Sequence, residues 1–462
     1  MISFGTDGWR GIIAEDFTFP KVRLVSKAIA MYLEREGLEK KIVMGYDSRF
    51  LSEKFAISAA QVLTNEGITV FIPHRDMPTP VIASSVLDLG ASGAMMFTAS
   101  HNPPEYNGLK FIPWYGGPAT DDITCKIEEN INQLEGKEIR ASLNEEFLKF
   151  YDPLPAYFYR LNEVLGDFST SAPLIYDPLY GTGRGVLDTF LKIRDFNLYL
   201  LHGNRDPLFG GLTPEPKEEN LTDLLELSKS MNCLALTTDG DADRFTVAEG
   251  GRLYTPNEAI TLIAYFFLEY LGLRGKLVRS LSTTTFLDRL ASYYDVPLIE
   301  TPVGFKFVGE EIRKGGVLLG GEESGGISVG WHLPEKDGIL GCLLVLKMVA
   351  VTGKSLNQLF SELCARIPPV FNLRTDLHFL SENRPYLESI IKRDDLAGSF
   401  SREVDKERSV SGRQIVFVDG SSLLFRMSGT ENVVRIYGED SSRENLLALM
   451  EEGRNFFRRE KS

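Results

Sequence analysis

The apolar run Lys-Ile-Val-Met-Gly-Tyr at positions 41–46 is followed by helical periodicity over 53–66 and by a second run, Gly-Ile-Thr-Val-Phe-Ile, at 67–72. A third run occupies 92–97, and residues 21–36 place apolar side chains at helical spacing ahead of the first run. Short apolar runs predict strands, and 3.6-residue spacing predicts helices. Their alternation predicts βαβ units and a largely parallel sheet.

The same alternation restarts twice along the chain, with predicted strands at 174–176, 198–201, 233–236, 277–278, 296–299 and 317–319. From about Pro368 the pattern changes to short antiparallel strands at 415–418, 423–426 and 433–437, and then to a helix over 442–459. The fold class predicted is α/β, with three similar α/β domains that have mainly parallel mixed sheets, plus a smaller C-terminal α+β domain. The predicted domains are residues 1–150, 151–252, 253–368 and 369–462.

Charge and composition exclude several function classes. The 462 residues include 50 Lys and Arg against 64 Asp and Glu, a net charge of −14, and this field repels nucleic acid and anionic lipid. A phosphate-bearing ligand must therefore be held by local basic residues. Four cysteines in so long a chain, an N-terminus without a signal pattern, and a longest apolar stretch (260–271) too short to span a bilayer predict a cytoplasmic location. We expect no nucleic-acid or membrane partner.

Ligands of open α/β sheets bind beyond the carboxyl ends of the strands, so the loops after Phe97, Leu236 and Leu319 are the first to consider. The first contains Thr-Ala-Ser-His-Asn-Pro at 98–103. Small residues there predict that Ser100 stands exposed at a turn, as a nucleophile or phosphoryl carrier. The alternative is ordinary turn chemistry. The surrounding residues do not form the Gly-x-Ser-x-Gly nucleophile elbow of hydrolases.

The second loop is Thr-Thr-Asp-Gly-Asp-Ala-Asp-Arg at 237–244. Three carboxylates at alternate positions, Asp239, Asp241 and Asp243, would repel one another without a cation and can converge on Mg²⁺. An EF-hand is excluded because its sixth and twelfth positions would be Arg244 and Gly250 instead of Gly and Glu. The neighbouring Arg244 can pair with a carboxylate or reach a phosphate oxygen.

Two further loops carry polar groups of different kinds. Gly-Gly-Glu-Glu-Ser-Gly-Gly at 320–326 offers carboxylates and a hydroxyl that suit a polyol, and Arg-Met-Ser-Gly-Thr-Glu at 426–431, with Arg435 nearby, can cradle a phosphate. The alternative for each is a solvated turn. Two apparent motifs are rejected: Gly353-Lys354-Ser355 lacks the first P-loop glycine, and the Gly-x-Ser-x-Gly match at 326–330 does not terminate a strand.

Together with Gly-Thr-Asp-Gly-Trp-Arg-Gly at 5–11 and Gly-Phe-Lys at 304–306, these segments stand in an order that resembles the α-D-phosphohexomutase family, from the N-terminus to Arg435. The family contains phosphoglucomutases, phosphomannomutases and phosphoglucosamine mutases. The resemblance implies four domains around a central cleft and an intramolecular phosphotransferase, an isomerase of hexose phosphates in carbohydrate metabolism. It implies a phosphoserine, Mg²⁺ as cofactor, and hexose 1,6-bisphosphate as intermediate and activator.

The resemblance also implies residue roles. Ser100 would carry the phosphoryl group and, with the three aspartates, complete the metal shell. Arg10 and Lys110 match positions beside the phosphoserine, where a Lys can assist proton transfer. The residues implied to bind the substrate are Arg244, Lys306, Glu322, Ser324, Arg426, Ser428, Gly429, Thr430 and Arg435.

One position departs from the pattern of the family's bacterial phosphomannomutase/phosphoglucomutase members. They end the sugar loop with a His, whereas this chain has Gly326. If that His acts in proton transfer or ligand contact, His101 and His332 are the candidates to replace it. We expect His332, in Trp-His-Leu-Pro, to lie in a surface loop unless it has this role.

The sequence favours glucose phosphates as substrates, because Glu-Glu-Ser-Gly at 322–325 is closer to glucose-type members than to phosphoglucosamine mutases, which usually have Gln after the first Glu. Phosphomannomutase or phosphoglucosamine mutase activity is the alternative within the family. Outside it, the alternatives are an aspartyl-nucleophile phosphatase or phosphotransferase and a non-catalytic sugar-phosphate sensor. We expect a small hexose phosphate as the partner, and a monomer or homodimer.

Overall fold

The computed structural model describes residues 2–5, 7–393, 396–428 and 432–459, and it contains four β-sheets that follow one another along the chain. We call each sheet with its adjoining helices a unit, numbered from the N-terminus. The predicted fold class, three mixed α/β sheets followed by an antiparallel α+β unit around a cleft, is confirmed. The exact domain boundaries stay a prediction.

The first unit contains a six-stranded sheet in the order β1-β5-β4-β2-β3-β6, in which β2, β3, β4 and β6 are parallel and β5 and β1 are antiparallel additions. The two helices predicted from periodicity form where expected, as α1 and α2. The elements are β1 Trp9–Ile12, α1 Phe19–Arg35, β2 Lys41–Tyr46, α2 Ser52–Asn65, β3 Thr69–Pro73, α3 Thr79–Leu89, β4 Gly93–Phe97, β5 Tyr106–Pro113, α4 Asp121–Leu134 and β6 Leu148–Tyr151.

The second unit contains a five-stranded sheet in the order β11-β10-β9-β7-β8, with a parallel β8-β7-β9 core and an antiparallel hairpin. Strand β9 runs two residues beyond its predicted end at 236, so the aspartate loop starts directly after Thr238. The elements are α5 Leu154–Leu165, β7 Leu174–Asp177, α6 Leu187–Ile193, β8 Leu198–Leu200, α7 Thr222–Met231, β9 Leu234–Thr238, β10 Phe245–Glu249 and β11 Arg252–Tyr254.

The third unit contains a four-stranded sheet in the order β13-β12-β14-β15, parallel except for the short β15. Its elements are α8 Pro256–Tyr265, β12 Lys276–Ser280, α9 Phe286–Tyr293, β13 Leu298–Thr301, α10 Phe305–Lys314, β14 Val317–Gly321, β15 Ile327–Ser328, α11 Gly338–Thr352 and α12 Leu356–Arg366; a π-turn, Phe266–Tyr270, extends α8.

The fourth unit contains an antiparallel sheet in the order β16-β20-β19-β18-β17, covered by a C-terminal helix. Strands β18, β19 and β20 and helix α14 correspond to predicted elements, whereas β16 and β17 carry few fully buried residues and were not predicted. The elements are β16 Phe371–His378, α13 Arg384–Ile391, β17 Val404–Arg408, β18 Arg413–Phe417, β19 Ser422–Met427, β20 Val433–Asp440 and α14 Arg443–Arg459.

Helix α11 joins the second and third units. It is apolar on all sides and mostly buried, because it packs against the second sheet as well as against its own unit. Gly341 permits this approach, since a Cβ there would lie 2.4 Å from the Phe245 ring. Among the described helices none is alone long and apolar enough to cross a membrane; α11 and α12, which meet at 82°, satisfy that criterion only as a pair.

Candidate active site

Ser100 lies in the loop between β4 and β5, in a left-handed conformation with φ 52°. Its Oγ donates to Asp239 Oδ2 at 2.9 Å, and its N–H donates to Thr98 Oγ1 at 2.8 Å. The prediction of an exposed turn serine is wrong, because the side chain is fully buried. The reason is the aspartate loop, which covers the serine so closely that a Cβ on Gly240 would lie 2.6 Å from the Ser100 carbonyl oxygen.

The three aspartates predicted to converge do lie together. One oxygen from each of Asp239, Asp241 and Asp243 falls within 4.8 Å of the others, and all three residues are fully buried. The loop is tight: the Asp239 N–H donates to the Arg244 carbonyl at 3.3 Å, and the Arg244 N–H donates to Asp239 Oδ1 at 3.1 Å. The end of β9 thus presents three carboxylates to the Ser100 hydroxyl.

Two buried lysines balance part of this negative charge. Lys110 Nζ lies 2.8 Å from Asp241 Oδ2, 2.7 Å from Asp243 Oδ2 and 3.0 Å from an oxygen of Asp7. Lys336 Nζ lies 2.9 Å from Asp7 and 3.2 Å from Asp243. Lys110 belongs to strand β5 and not to a loop, so its position is fixed by the sheet.

The carboxylates differ in their electrostatic environment. Burial opposes ionisation of Asp241, but Lys110 and a hydrogen bond from Thr79 lower its pKa to about 2. At Asp239, burial and the neighbouring Asp241 and Asp243 raise the pKa well above its usual value. Burial alone would lower the pKa of Lys110, but the three surrounding carboxylates raise it, so this lysine is held as a cation. The lysines therefore balance only part of the cluster, and Asp239 requires a further cation to ionise readily.

A divalent cation fits this arrangement. Oδ1 of Asp241 and Oδ1 of Asp243 are buried without a hydrogen-bond partner in the described part of the chain, while their Oδ2 atoms bind Lys110. Buried carboxylate oxygens without partners are costly, and Mg²⁺ prefers such oxygen ligands. The residues that could hold the ion are the three aspartates, with Ser100 beside them.

A cleft opens next to this cluster and receives side chains from all four units. Seven basic residues face it against three acidic ones, so an acidic protein has a locally basic cleft. The charged side chains and the histidine that line it are Asp7, Arg10, His101, Arg244, Lys306, Glu322, Glu323, Lys336, Arg374, Arg426 and Arg435. Arg10 also donates to Asn102 Oδ1 at 2.6 Å, which ties strand β1 to the Ser100 loop.

The third unit contributes the loop that follows β14. Glu322 is buried, and its Oε1 accepts the Gly304 N–H at 2.8 Å. Burial, and then the charge of Glu323, raise the pKa of Glu322 to about 7. Ser324 lines the cleft beside it, whereas the Glu323 carboxylate accepts the Ser282 hydroxyl at 2.6 Å. A hydrogen-bonding edge of a polyol can be accommodated here.

The fourth unit contributes a cluster of arginines to the lining of the same cleft. Arg426 on β19 and Arg435 on β20 are cross-strand partners, and Ser428 lines the cleft beside them. Arg374 on β16 also faces the cleft and was missed, because its strand was not recognised in the sequence. The predicted residues Gly429 and Thr430 lie outside the described residues.

Lys306, implied by the resemblance to bind the substrate, lies in the first turn of α10, where its Nζ is 2.5 Å from Asp121 Oδ1. It still lines the cleft. The ion pair joins the third unit to α4 of the first unit, so Lys306 has a structural partner as well as access to a ligand.

The two histidines considered as replacements for the family His have different surroundings. His101 lines the cleft, and its Nδ1 lies 3.4 Å from Ser100 Oγ. Burial, and then Arg244 and Arg10, hold the pKa of His101 well below its usual value, which favours a neutral imidazole. The expectation of a surface position for His332 is wrong: its side chain is fully buried, and its Nε2 lies 2.8 Å from Asp337 Oδ2. His332 neither lines the cleft nor contacts Ser100 among the described residues, whereas His101 does both, so His332 is removed as a proton-transfer candidate.

Lys336 fills the space next to Gly326. A Cβ on Gly326 would lie 2.6 Å from Lys336 Cδ, and Lys336 Nζ reaches the aspartate cluster. Lys336 was not predicted as a site residue and Asp7 was given no role, because neither lies in a loop at the carboxyl end of a predicted strand. The signal available was the charged run Glu335-Lys336-Asp337 that precedes the apolar helix α11.

Comparisons with known families agree with this architecture. Models of the phosphoglucomutase/phosphomannomutase α/β/α domains I, II and III match residues 1–138, 157–251 and 255–367, respectively. Among curated relatives, a phosphoglucomutase/phosphomannomutase of Thermococcus kodakarensis is 29% identical over 97% of both chains. A probable phosphoglucosamine mutase of Pyrococcus abyssi is 31% identical over 97% of this chain and 96% of its own.

A solved structure from Thermus thermophilus, which carries the provisional name phosphomannomutase, superposes with a TM-score of 0.86 at 34% identity. The match covers 99% of each chain, so it includes the fourth unit. The order of the units and the identity over nearly the full length agree, and the chain belongs to the phosphoglucomutase/phosphomannomutase family of intramolecular phosphotransferases, the α-D-phosphohexomutases.

Proposed function

We propose that this phosphohexomutase interconverts glucose 1-phosphate and glucose 6-phosphate, with Ser100 as a phosphoryl carrier and glucose 1,6-bisphosphate as intermediate and activator. The observation that supports it most is one cleft lined by arginines of the fourth unit and by His101, whose Nδ1 lies 3.4 Å from the Oγ of the buried Ser100 beside the aspartate cluster. A sugar with one phosphate on the arginines would present its free hydroxyl toward Ser100.

The proposed transfer breaks the bond between phosphorus and Ser100 Oγ and forms a bond from phosphorus to a sugar hydroxyl oxygen. The hydroxyl proton must leave to a base, and Ser100 Oγ regains a proton when the group has departed. His101 is the proposed proton carrier at this end, because its neutral imidazole lies beside Ser100 Oγ. Lys110, held as a cation by three carboxylates, is proposed as a fixed positive charge that stabilises the transferring group.

Members of this family depend on Mg²⁺, and we propose Asp239, Asp241, Asp243 and Ser100 as the residues that hold it. When bound, the ion supplies Lewis-acid stabilisation of the phosphoryl oxygens. Arg10 and Arg244 border the same end of the cleft and are proposed to orient those oxygens.

The proposed contacts with the sugar and with the phosphate that does not react are the ones predicted from the sequence. Glu322 and Ser324 would bind sugar hydroxyls, with Lys306 beside them, and Arg426, Ser428 and Arg435 would hold the phosphate that does not react. Arg374 is added to this set because it faces the same cleft. Gly429 and Thr430 remain proposed on the sequence pattern alone.

Mannose phosphates are the second candidate substrates and glucosamine phosphates the third, since relatives of similar identity carry all of these names. A turnover panel with the 1-phosphates of glucose, mannose, glucosamine and N-acetylglucosamine, each with Mg²⁺ and bisphosphate, decides among them. We expect the highest kcat/KM for glucose 1-phosphate and a measurable second activity with mannose 1-phosphate. A highest kcat/KM for an amino sugar would contradict the glucose assignment.

Replacement of Ser100 by Ala is expected to lower kcat for glucose 1-phosphate by about 10³-fold or more, because no other hydroxyl in the described part of the chain donates to Asp239 and could carry the group. The control is Ser26→Ala in α1, a buried hydroxyl that donates to the Val22 carbonyl and should leave kcat within about twofold. Circular dichroism checks that both variants fold. Full activity in the Ser100→Ala variant would refute the carrier role.

Binding of Mg²⁺ is expected to raise the melting temperature of the wild-type protein by a few degrees, because an ion that binds only the folded state stabilises it. The Asp243→Asn variant loses one ligand and should show a clearly smaller increase. The matched control is Asp167→Asn, an exposed carboxylate of the second unit that does not line the cleft. Equal increases in all three proteins, measured at constant ionic strength, would argue against the aspartate cluster as the metal site.

A further inference from the structure

Arg49 is a fully buried arginine in the turn after strand β2, and it does not line the cleft. Each of its five N–H groups has an acceptor. Nε donates to Asp47 Oδ2 at 3.1 Å, and the four remaining N–H groups donate to three backbone carbonyls of the Ser100 loop and to that of Tyr106, the first residue of β5. The carbonyls and distances are Ser100 at 2.7 Å, Asn102 at 2.6 Å, Pro103 at 2.6 Å and Tyr106 at 3.1 Å.

These bonds define the path of the loop that carries Ser100. No helix or strand lies between β4 and β5, so the carbonyls of the buried residues Ser100 and Asn102 depend on Arg49, while the Pro103 carbonyl also accepts the Tyr106 N–H at 3.1 Å. The guanidinium draws all four carbonyls to one side. Its bond to the Ser100 carbonyl and the bond from the Ser100 N–H to Thr98 together hold Ser100 at its left-handed φ of 52°. In that conformation Ser100 Oγ meets Asp239 Oδ2.

The guanidinium is itself held from two sides. Asp47 accepts from Arg49 Nε and from the Ser52 hydroxyl at 2.6 Å, and the Asn107 side chain donates to the same hydroxyl at 2.9 Å. On the other side, the Phe209 ring of the second unit covers the guanidinium, with its centroid 5.0 Å from the Arg49 Cζ. Arg49 is thus enclosed by the first unit and capped by the second.

We infer that Arg49 is a positioning residue for phosphoryl transfer: it orients Ser100 through the loop backbone, and Phe209 keeps it in place when the first and second units are together. This inference rests on the proposed role of Ser100 as carrier. Arg49 touches neither the cleft nor the arginines of the fourth unit, so its effect falls on the transfer step and not on substrate binding.

The test is steady-state kinetics of the full-length Arg49→Lys variant with glucose 1-phosphate, Mg²⁺ and bisphosphate, or with the best substrate of the panel. A lysine keeps the charge but cannot bond four carbonyls in the planar fork of an arginine. We expect kcat to fall by about 10²-fold, as for a displacement of the reacting group on the order of 1 Å, with KM within about threefold of wild type.

A second variant, Phe209→Leu, leaves Arg49 intact but removes the aromatic cap, and it should lower kcat by about threefold to tenfold with unchanged KM. If Arg49→Lys does not fold, the kcat of Phe209→Leu tests the positioning role of Arg49. The control is Arg184→Lys, a buried arginine that pairs with Asp76 across the same two units without contacting the Ser100 loop. Its kcat should stay within about twofold, even if its melting temperature falls as much as that of Arg49→Lys.

Two results would overturn the inference: kcat within twofold of wild type in both Arg49→Lys and Phe209→Leu, or losses that appear in KM alone. Parallel measurement of Ser100→Ala distinguishes failure of the proposed carrier role of Ser100 from failure of the positioning role of Arg49. If Ser100→Ala is inactive and Arg49→Lys is normal, only the positioning role fails. If Ser100→Ala is active, the carrier role fails, and the inference about Arg49 fails with it.

Discussion

The burial of three aspartates against one serine is the constraint on which the arrangement of this protein depends. Carboxylates out of water are costly unless they are paired, and no single unit supplies the partners. Asp241 and Asp243 of the second unit are paired by Lys110 of the first unit and Lys336 of the third. Asp241 and Asp243 therefore gain their lysine partners only when three units are assembled. This requirement brings the carboxyl ends of their strands to one place and places Ser100 under the aspartate loop.

The fourth unit contributes Arg374, Arg426 and Arg435 to the cleft, and we propose that they hold the phosphate that does not react. This unit is attached to the third unit by polar contacts, among them the Arg408–Glu300 ion pair at 2.6 Å and the Thr285 hydroxyl donating to Glu439 at 2.7 Å. Its arginines line the same cleft as His101 and Lys336, which contact Ser100 and Asp243, respectively. Under the proposed function, these arginines and the charges around Ser100 act on different phosphate groups of one sugar.

Much of the fold and part of the candidate site could be predicted from the sequence, because the signals for them were local. Strand-helix alternation identified the α/β units, and the loops after β4, β9 and β14 contain the residues that the structure brings together. What failed depended on tertiary contacts. Ser100 was expected to be exposed because its cover, Gly240, is 140 positions away. His332 was expected at the surface, but its side chain is buried and bound to Asp337. Lys336 stands in a charged run, Arg374 on an unpredicted strand and Arg49 in a turn, and only tertiary contacts bring each of them to the cleft or to the Ser100 loop.

The central claim, that Ser100 carries the phosphoryl group, is tested most directly by locating the phosphate. The purified protein would be incubated with ³²P-labelled glucose 1,6-bisphosphate and Mg²⁺, digested, and mapped by mass spectrometry. The account predicts label on the peptide that contains Ser100, as an acid-stable phosphoserine that is discharged by unlabelled glucose phosphate. Label on Asp239 or Asp241, as an acyl phosphate cleaved by hydroxylamine, would contradict it, and so would active protein that never acquires label.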